Sequence, residues 1–251
     1  YPKGVTIAVG DGTIRADRAN RVILANDPPN RSMRIAPDLG DALETAAAFV
    51  VSGFNTMQDA RLLDSRLDDL ERALDRLPVD AVVYYEEAGF YIPRFSERVR
   101  ERLLPRIDVL GMNEDELQER IGRSVELRDP DDVARAIADV HERIPAPALV
   151  VHAASWAVAV GLEARRYVDA LESAVCVAAT RYRVGDDLTF EEVERTRALE
   201  RSNDGHAVVA GLRGARADAI GVPGFVVETP TPTTIGLGDT FVGGFLAALP
   251  R

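Results

Sequence analysis

Ile107-Asp108-Val109-Leu110-Gly111-Met112-Asn113-Glu114-Asp115-Glu116-Leu117 decides how this chain folds. A short apolar run passes without a linker into an asparagine followed by acids. Asparagine is a favoured helix cap, and acids in a first turn complement the positive end of the helix dipole. The stretch therefore reads as a strand that runs straight into a helix, and the same alternation repeats on both sides of it. Upstream, residues 96–103 predict a helix, and Ala81-Val82-Val83-Tyr84-Tyr85 predicts a buried strand ending on the paired acids Glu86 and Glu87. Before that strand, Leu62, Leu63, Leu67, Leu70, Leu74 and Leu77 recur at three- and four-residue spacing, which marks an amphipathic helix over 59–77. Residues 46–53 carry a helical start into another buried strand.

Downstream, 131–143 predicts a helix, 148–152 a strand, 157–160 its partner strand and 164–181 a helix. Thr189 caps a further helix, 206–210 predicts a strand, and Val226-Val227-Glu228 leads into a Pro-Thr-rich connector over 229–234. Near the start, residues 5–9 predict a strand closed by the turn Gly10-Asp11-Gly12, and 21–25 a second strand, with 27–30 as a loop. Buried strands alternating with amphipathic helices predict an α/β unit over 1–251. Its central sheet is mostly parallel and flanked by helices on both faces.

Composition narrows the function. With 251 residues, 46% hydrophobic and 28% charged, the chain can bury a large core. No apolar run approaches the ~20 residues needed to span a bilayer, so a cytoplasmic location is expected. The formal net charge of -11 argues against nucleic-acid or anionic-membrane partners, both of which need basic surface. Lys3 is the single lysine, so cationic sites must be built from arginine. Cys176 is the single cysteine and lies in the apolar run Ala174-Val175-Cys176-Val177-Ala178, which predicts a buried, inert thiol.

Close to the C-terminus stands Thr233-Thr234-Ile235-Gly236-Leu237-Gly238-Asp239-Thr240-Phe241-Val242-Gly243-Gly244-Phe245. A glycine-rich turn ahead of a helical apolar run offers free backbone N–H groups to an anion. Asp239 can cap that helix or deprotonate an acceptor hydroxyl, and the residues alone leave both readings open. In parallel sheets ligands gather beyond the carboxyl ends of the strands. Glu86, Asn113 to Glu116, His152 and the Gly236 loop all fall at such ends.

Together these pieces resemble the ADP-dependent sugar kinases, the ribokinase-like family containing ADP-specific glucokinases and phosphofructokinases. Gly236-Leu237-Gly238-Asp239 is similar to the family's Gly-x-Gly-Asp, and Asn113-Glu114-Asp115-Glu116 to its Asn-x-x-Glu. Asp17-Arg18-Ala19-Asn20-Arg21 and the run from Ala179 to Asp187 are similar to the family as well. The resemblance covers most of the chain. It does not extend to the family's N-terminal part, which carries much of the sugar pocket and the lid and is expected to be absent here.

The resemblance implies phosphoryl transfer from ADP to a hydroxyl of glucose or fructose 6-phosphate, giving AMP, with Mg²⁺ as cofactor. Asp239 would be the base, and the N–H groups of Gly236, Leu237 and Gly238 the anion hole. Glu86, Glu116 and Asp239 would organise the metal, with Asn113 beside them holding a phosphate or water. The family's His-x-Glu reads Tyr84-Tyr85-Glu86 here, so the acid is kept and the imidazole is not. His152 and Val227 would face the nucleotide, although Ala153 and Ala154 replace the Thr and basic residue that usually follow the His. Arg21 would clamp a phosphate, with Arg181 and Arg183 as competitors. Two other readings stand beside this one: an ATP-dependent ribokinase-type carbohydrate kinase, and a nucleotide-binding relative without catalysis. Neither the acceptor nor the oligomeric state follows from these residues.

Overall fold

Strand parity organises the molecule. The computed structural model describes residues 4–15 and 28–250. The strand expected at 21–25, with Arg18 and Arg21, lies outside the described residues. A hairpin of β1 (Thr6–Val9) and β2 (Gly12–Arg15) forms a separate antiparallel pair. The short helices α1 (Pro28–Ser32) and α2 (Leu39–Leu43) lead into β3 (Ala48–Val51). Residues 28–30, within the stretch expected as a loop, are thus helical, since proline's fixed φ suits the first position of a helix; residue 27 lies outside the described residues. After a 3₁₀ turn come α3 (Ala60–Leu74), β4 (Val82–Glu86), α4 (Pro93–Leu103), β5 (Val109–Asn113) and α5 (Glu114–Ile121). Then follow α6 (Pro130–Arg143), β6 (Ala148–Ala153), β7 (Trp156–Val160), α7 (Val168–Val184), α8 (Phe190–Arg197), α9 (Asn203–Ala215), β8 (Ala219–Pro223) and α10 (Leu237–Ala247).

The six-stranded sheet runs β3-β4-β5-β6-β7-β8. Strands β3 to β6 pair in parallel, while β7 is antiparallel to both β6 and β8, so five of the six strands share one direction. Successive side chains of a strand point to opposite faces. Val83, Tyr85, Leu110, Met112, Leu149, Val151 and Val158 enter one core, closed by α3, α4, α6 and α9. Val82, Tyr84, Val109, Val150, Ala157 and Ala159 enter a second, closed by α7, α8 and α10. Both faces are therefore covered, which is why the strands read as continuous apolar runs and not as alternating ones.

Local chemistry starts α3 and α8 where they were expected, while the helices expected from 96 and 164 begin at Pro93 and Val168. Asp59 accepts from the Leu62 N–H and Thr189 from the Glu192 N–H. A second assignment fails: 206–210 lies inside α9, not in a strand. Ser202 caps that helix, and Gly205, Val208, Val209 and Leu212 bury one face of it at helical spacing. A short apolar run fits either period, and here the cap and tertiary packing choose the helix. The strand at this end of the sheet is β8, where Gly221 lets α9 come close. A Cβ there would lie 2.9 Å from a Val209 methyl. Among the described residues, no helix is long and apolar enough to cross a membrane.

Candidate active site

The two acids at the end of β4 are adjacent in sequence and separated by the sheet. Glu86 follows the parity of Tyr84 and points toward the face that carries α10. Glu87 follows Tyr85 and points to the other. There it is buried, with a side chain 0% exposed, and accepts from Ser96 Oγ at 3.0 Å and Arg100 at 2.8 Å. Arg120 of α5 approaches it at 3.3 Å. Glu87 is thus a structural ion-pair partner and not a solvated strand-end acid. Burial of a carboxylate is tolerated when cations and hydrogen bonds compensate it.

Glu86 has no such cations beside it among the described residues. Its Oε2 is buried without a well-aligned hydrogen-bond partner. Burial, and then the charges of Glu116 and Asp239, push its carboxyl up to about 8. Oε1 reaches toward the start of α10, 4.0 Å from where a Cβ on Gly238 would stand. Gly111, paired with Glu86 across the ladder, makes room on the other side. A Cβ there would fall 2.7 Å from Glu86 Oε2 and 2.1 Å from the Tyr84 hydroxyl. Gly111 is a site residue that the sequence reading quoted and did not single out, because nothing local shows a close approach between strands.

Asn113 and Glu116 form a reciprocal helix cap. Asn113 Oδ1 accepts from the Asp115 and Glu116 N–H groups, and Glu116 Oε2 accepts from the Asn113 N–H at 2.9 Å. The cap and the site are the same structure, since the cap holds Glu116 at the strand end. Burial pushes the Glu116 carboxyl up to about 7 against the opposing effect of the Asn113 hydrogen bond.

The glycine loop faces these acids from the second layer. Gly236 sits at φ 70°, in the left-handed region that favours glycine, and its carbonyl accepts from the Thr240 N–H. The N–H groups of Leu237, Gly238 and Asp239 therefore open α10 ahead of its first internal bond, without intrahelical partners. Asp239 lies in the first turn of α10 and is exposed. Gly244 sets the position of α10: a Cβ there would lie 3.0 Å from Ala174 Cα, so α10 packs tightly on α7.

Arg181 stands beside the loop. Its Nε donates to the Ile235 carbonyl at 3.2 Å, and it pairs with the exposed Asp186 at 2.8 Å. Arg183 turns away and bonds Glu192 and Thr196 of α8. Of the three arginines considered for a phosphate, Arg181 is at the loop, Arg183 is structural, and Arg21 lies outside the described residues. His152, paired with Asn113 across the ladder, stacks on Phe241 of α10 at 4.2 Å. Burial pushes it down to about 4, so it is neutral at pH 7, with Nε2 unpartnered. Val227 lies past the last strand and packs against the second core.

Among the described residues, no three His, Cys, Asp or Glu side chains are grouped closely enough to hold a metal alone. Glu86, Glu116 and Asp239 come from three elements and do not close into one cage. The mutual repulsion of these acids, with Glu86 Oε1 turned toward the start of α10, nevertheless fits a cation that takes part of its shell from water and ligand oxygens.

Residues 1–172 match the family model described as the ADP-specific phosphofructokinase/glucokinase conserved region. A phosphofructokinase from Pyrococcus horikoshii OT3, solved with AMP, superposes with a TM-score of 0.69 at 18% identity, covering 99% of this chain and 62% of that one. A last common ancestor of ADP-dependent phosphofructokinases from Methanosarcinales gives 0.68 at 17% identity, over 98% and 60%. An ADP-dependent kinase in complex with fructose-6-phosphate and ADPβS gives 0.65 at 17%, over 84% and 55%. The chain thus spans about three fifths of the length of these proteins. No curated protein sequence matches it significantly.

Proposed function

The chain belongs to the ADP-specific phosphofructokinase/glucokinase family, and we propose that it carries the centre that transfers a phosphoryl group from ADP to a hydroxyl of glucose or fructose 6-phosphate. The observation that carries this reading is the buried carboxyl of Glu86, crowded by Glu116 and Asp239 and held with Oε1 against the glycine-opened N-terminus of α10. A site that presents unpaired N–H groups and unneutralised acids side by side suits a polyphosphate together with a cation.

In this reading Leu237, Gly238 and Asp239 offer their N–H groups to the phosphoryl oxygens, where charge develops during transfer. Glycine at 236 and 238 keeps the backbone accessible. Asp239, exposed at the mouth of the site, takes the proton of the acceptor hydroxyl as its oxygen bonds to phosphorus and the bond to the AMP oxygen breaks. Arg181 flanks the loop and adds positive charge. Glu86 and Glu116, with Asn113 beside them, would hold Mg²⁺, whose chemistry is to neutralise charge between the donor phosphates. His152 and Val227 would border the nucleotide. A neutral imidazole stacked on Phe241 does so by shape and not by charge.

The test is nucleotide consumption with glucose or fructose 6-phosphate, comparing ADP with ATP, for the unmodified protein and Asp239→Asn. The expected outcome is ADP-driven turnover that falls by about 10²–10⁴ in the variant while ADP binding persists. Faster turnover with ATP would overturn the donor assignment, and full activity in the variant would overturn the base.

A further inference from the structure

Two buried polar atoms in this site meet over the same glycine. The Tyr84 hydroxyl and Glu86 Oε2 are both shielded from solvent, and neither has a well-aligned hydrogen-bond partner. A Cβ on Gly111 would stand 2.1 Å from the hydroxyl and 2.7 Å from Oε2, so both atoms occupy the space that the glycine leaves open. Buried polar groups without partners are costly, and two such groups within reach of each other are each other's natural remedy. The Tyr84 ring cannot turn away: it is fully buried and packs edge-on against Phe245 at 5.2 Å. A phenol is a donor at neutral pH, and a carboxyl group keeps an acceptor oxygen whether or not it is ionised.

We infer that Tyr84 is a positioning residue whose hydroxyl donates to Oε2 of Glu86 and thereby turns Oε1 toward the start of α10. The inference rests on the reading of Glu86 as a cation-holding acid. It assigns the two oxygens of one carboxylate to two tasks, with Oε2 anchored in the sheet and Oε1 facing the ligand side. Tyr85, whose hydroxyl is equally buried, follows the opposite parity and enters the other core, so it has no part in this. Outer partners of ligating groups typically contribute 10–100-fold to metal affinity.

The measurement is Mn²⁺ binding by electron paramagnetic resonance, alone and with ADP, for the unmodified protein and for Tyr84→Phe, Tyr85→Phe and Glu86→Gln. Tyr84→Phe deletes a single oxygen and keeps the packed ring. Its Mn²⁺ dissociation constant is expected to rise tenfold or more. Tyr85→Phe should leave that constant unchanged, and Glu86→Gln should abolish binding. Unaltered Mn²⁺ affinity in Tyr84→Phe would overturn the inference alone. Failure of the unmodified protein to bind Mn²⁺ would overturn the reading of the site, and the inference with it. Unfolding midpoints give a second check: Tyr84→Phe should shift the midpoint in the unmodified background and not in Glu86→Leu, which offers no acceptor. Equal shifts in both backgrounds would refute the contact.

Discussion

Glu86→Gln should make the ligand-free protein more stable, and by an amount that depends on pH. In the native state the Glu86 carboxyl is pushed from an ordinary 4.5 up to about 8, first by burial and then by the charges of Glu116 and Asp239. As pH rises above 4.5 the unfolded chain releases this proton while the native protein holds it until about 8. Stability is therefore lost progressively across that window. At 1.36 kcal/mol per pKa unit, the loss at pH 7 is about 3 kcal/mol. Glutamine ionises in neither state, so the loss disappears.

The assay is urea unfolding of both proteins at pH 5 and pH 7. The stability gap in favour of Glu86→Gln should widen by about 2–3 kcal/mol between the two. His152 changes in the opposite sense. Its pKa, held down at about 4 by burial, costs stability as pH falls below 6.5. That term is common to both proteins and cancels in the difference. A gap that stays constant from pH 5 to pH 7, or a variant less stable than its parent at pH 7, would refute the account of Glu86 as a buried acid without a cationic partner.

The neighbouring acid should respond in the opposite direction. Glu87→Ala leaves the guanidinium groups of Arg100 and Arg120 buried without their anion, and urea unfolding should show a loss of about 3–5 kcal/mol. Gly111→Ala forces a methyl group onto the Tyr84 hydroxyl and ring, which Phe245 holds in place. Overpacking of this kind costs about 1–3 kcal/mol and should lower the thermal midpoint by several degrees, whereas an unchanged midpoint would mean the ring has room to move.

Legibility of the site followed how local each signal was. The Asn113 to Glu116 cap could be read directly, because every partner lies within four residues, and the structure shows both halves of the reciprocal bond. The Gly236 loop was legible for the same reason. Glu86 and Glu87 were not, because adjacent acids at a strand end look alike in sequence. The importance of Gly111 depends on Tyr84, 27 positions away and meeting it only across the ladder. Arg181 could be separated from Arg183 only once α7 had packed beside the loop and α8 had claimed the second guanidinium.

By itself the sequence determined the alternation of buried strands and amphipathic helices, the strand-to-helix turn at Asn113 and the glycine turn ahead of α10. Each of these is set by neighbours within a turn or a strand. Folding decided the rest. Pairing β4 with β5 and laying α10 on α7 sent Glu86 among other acids and Glu87 into a cage of arginines. A one-residue step along a strand reverses the face and with it the dielectric, the partners and the charge state that an acid can keep.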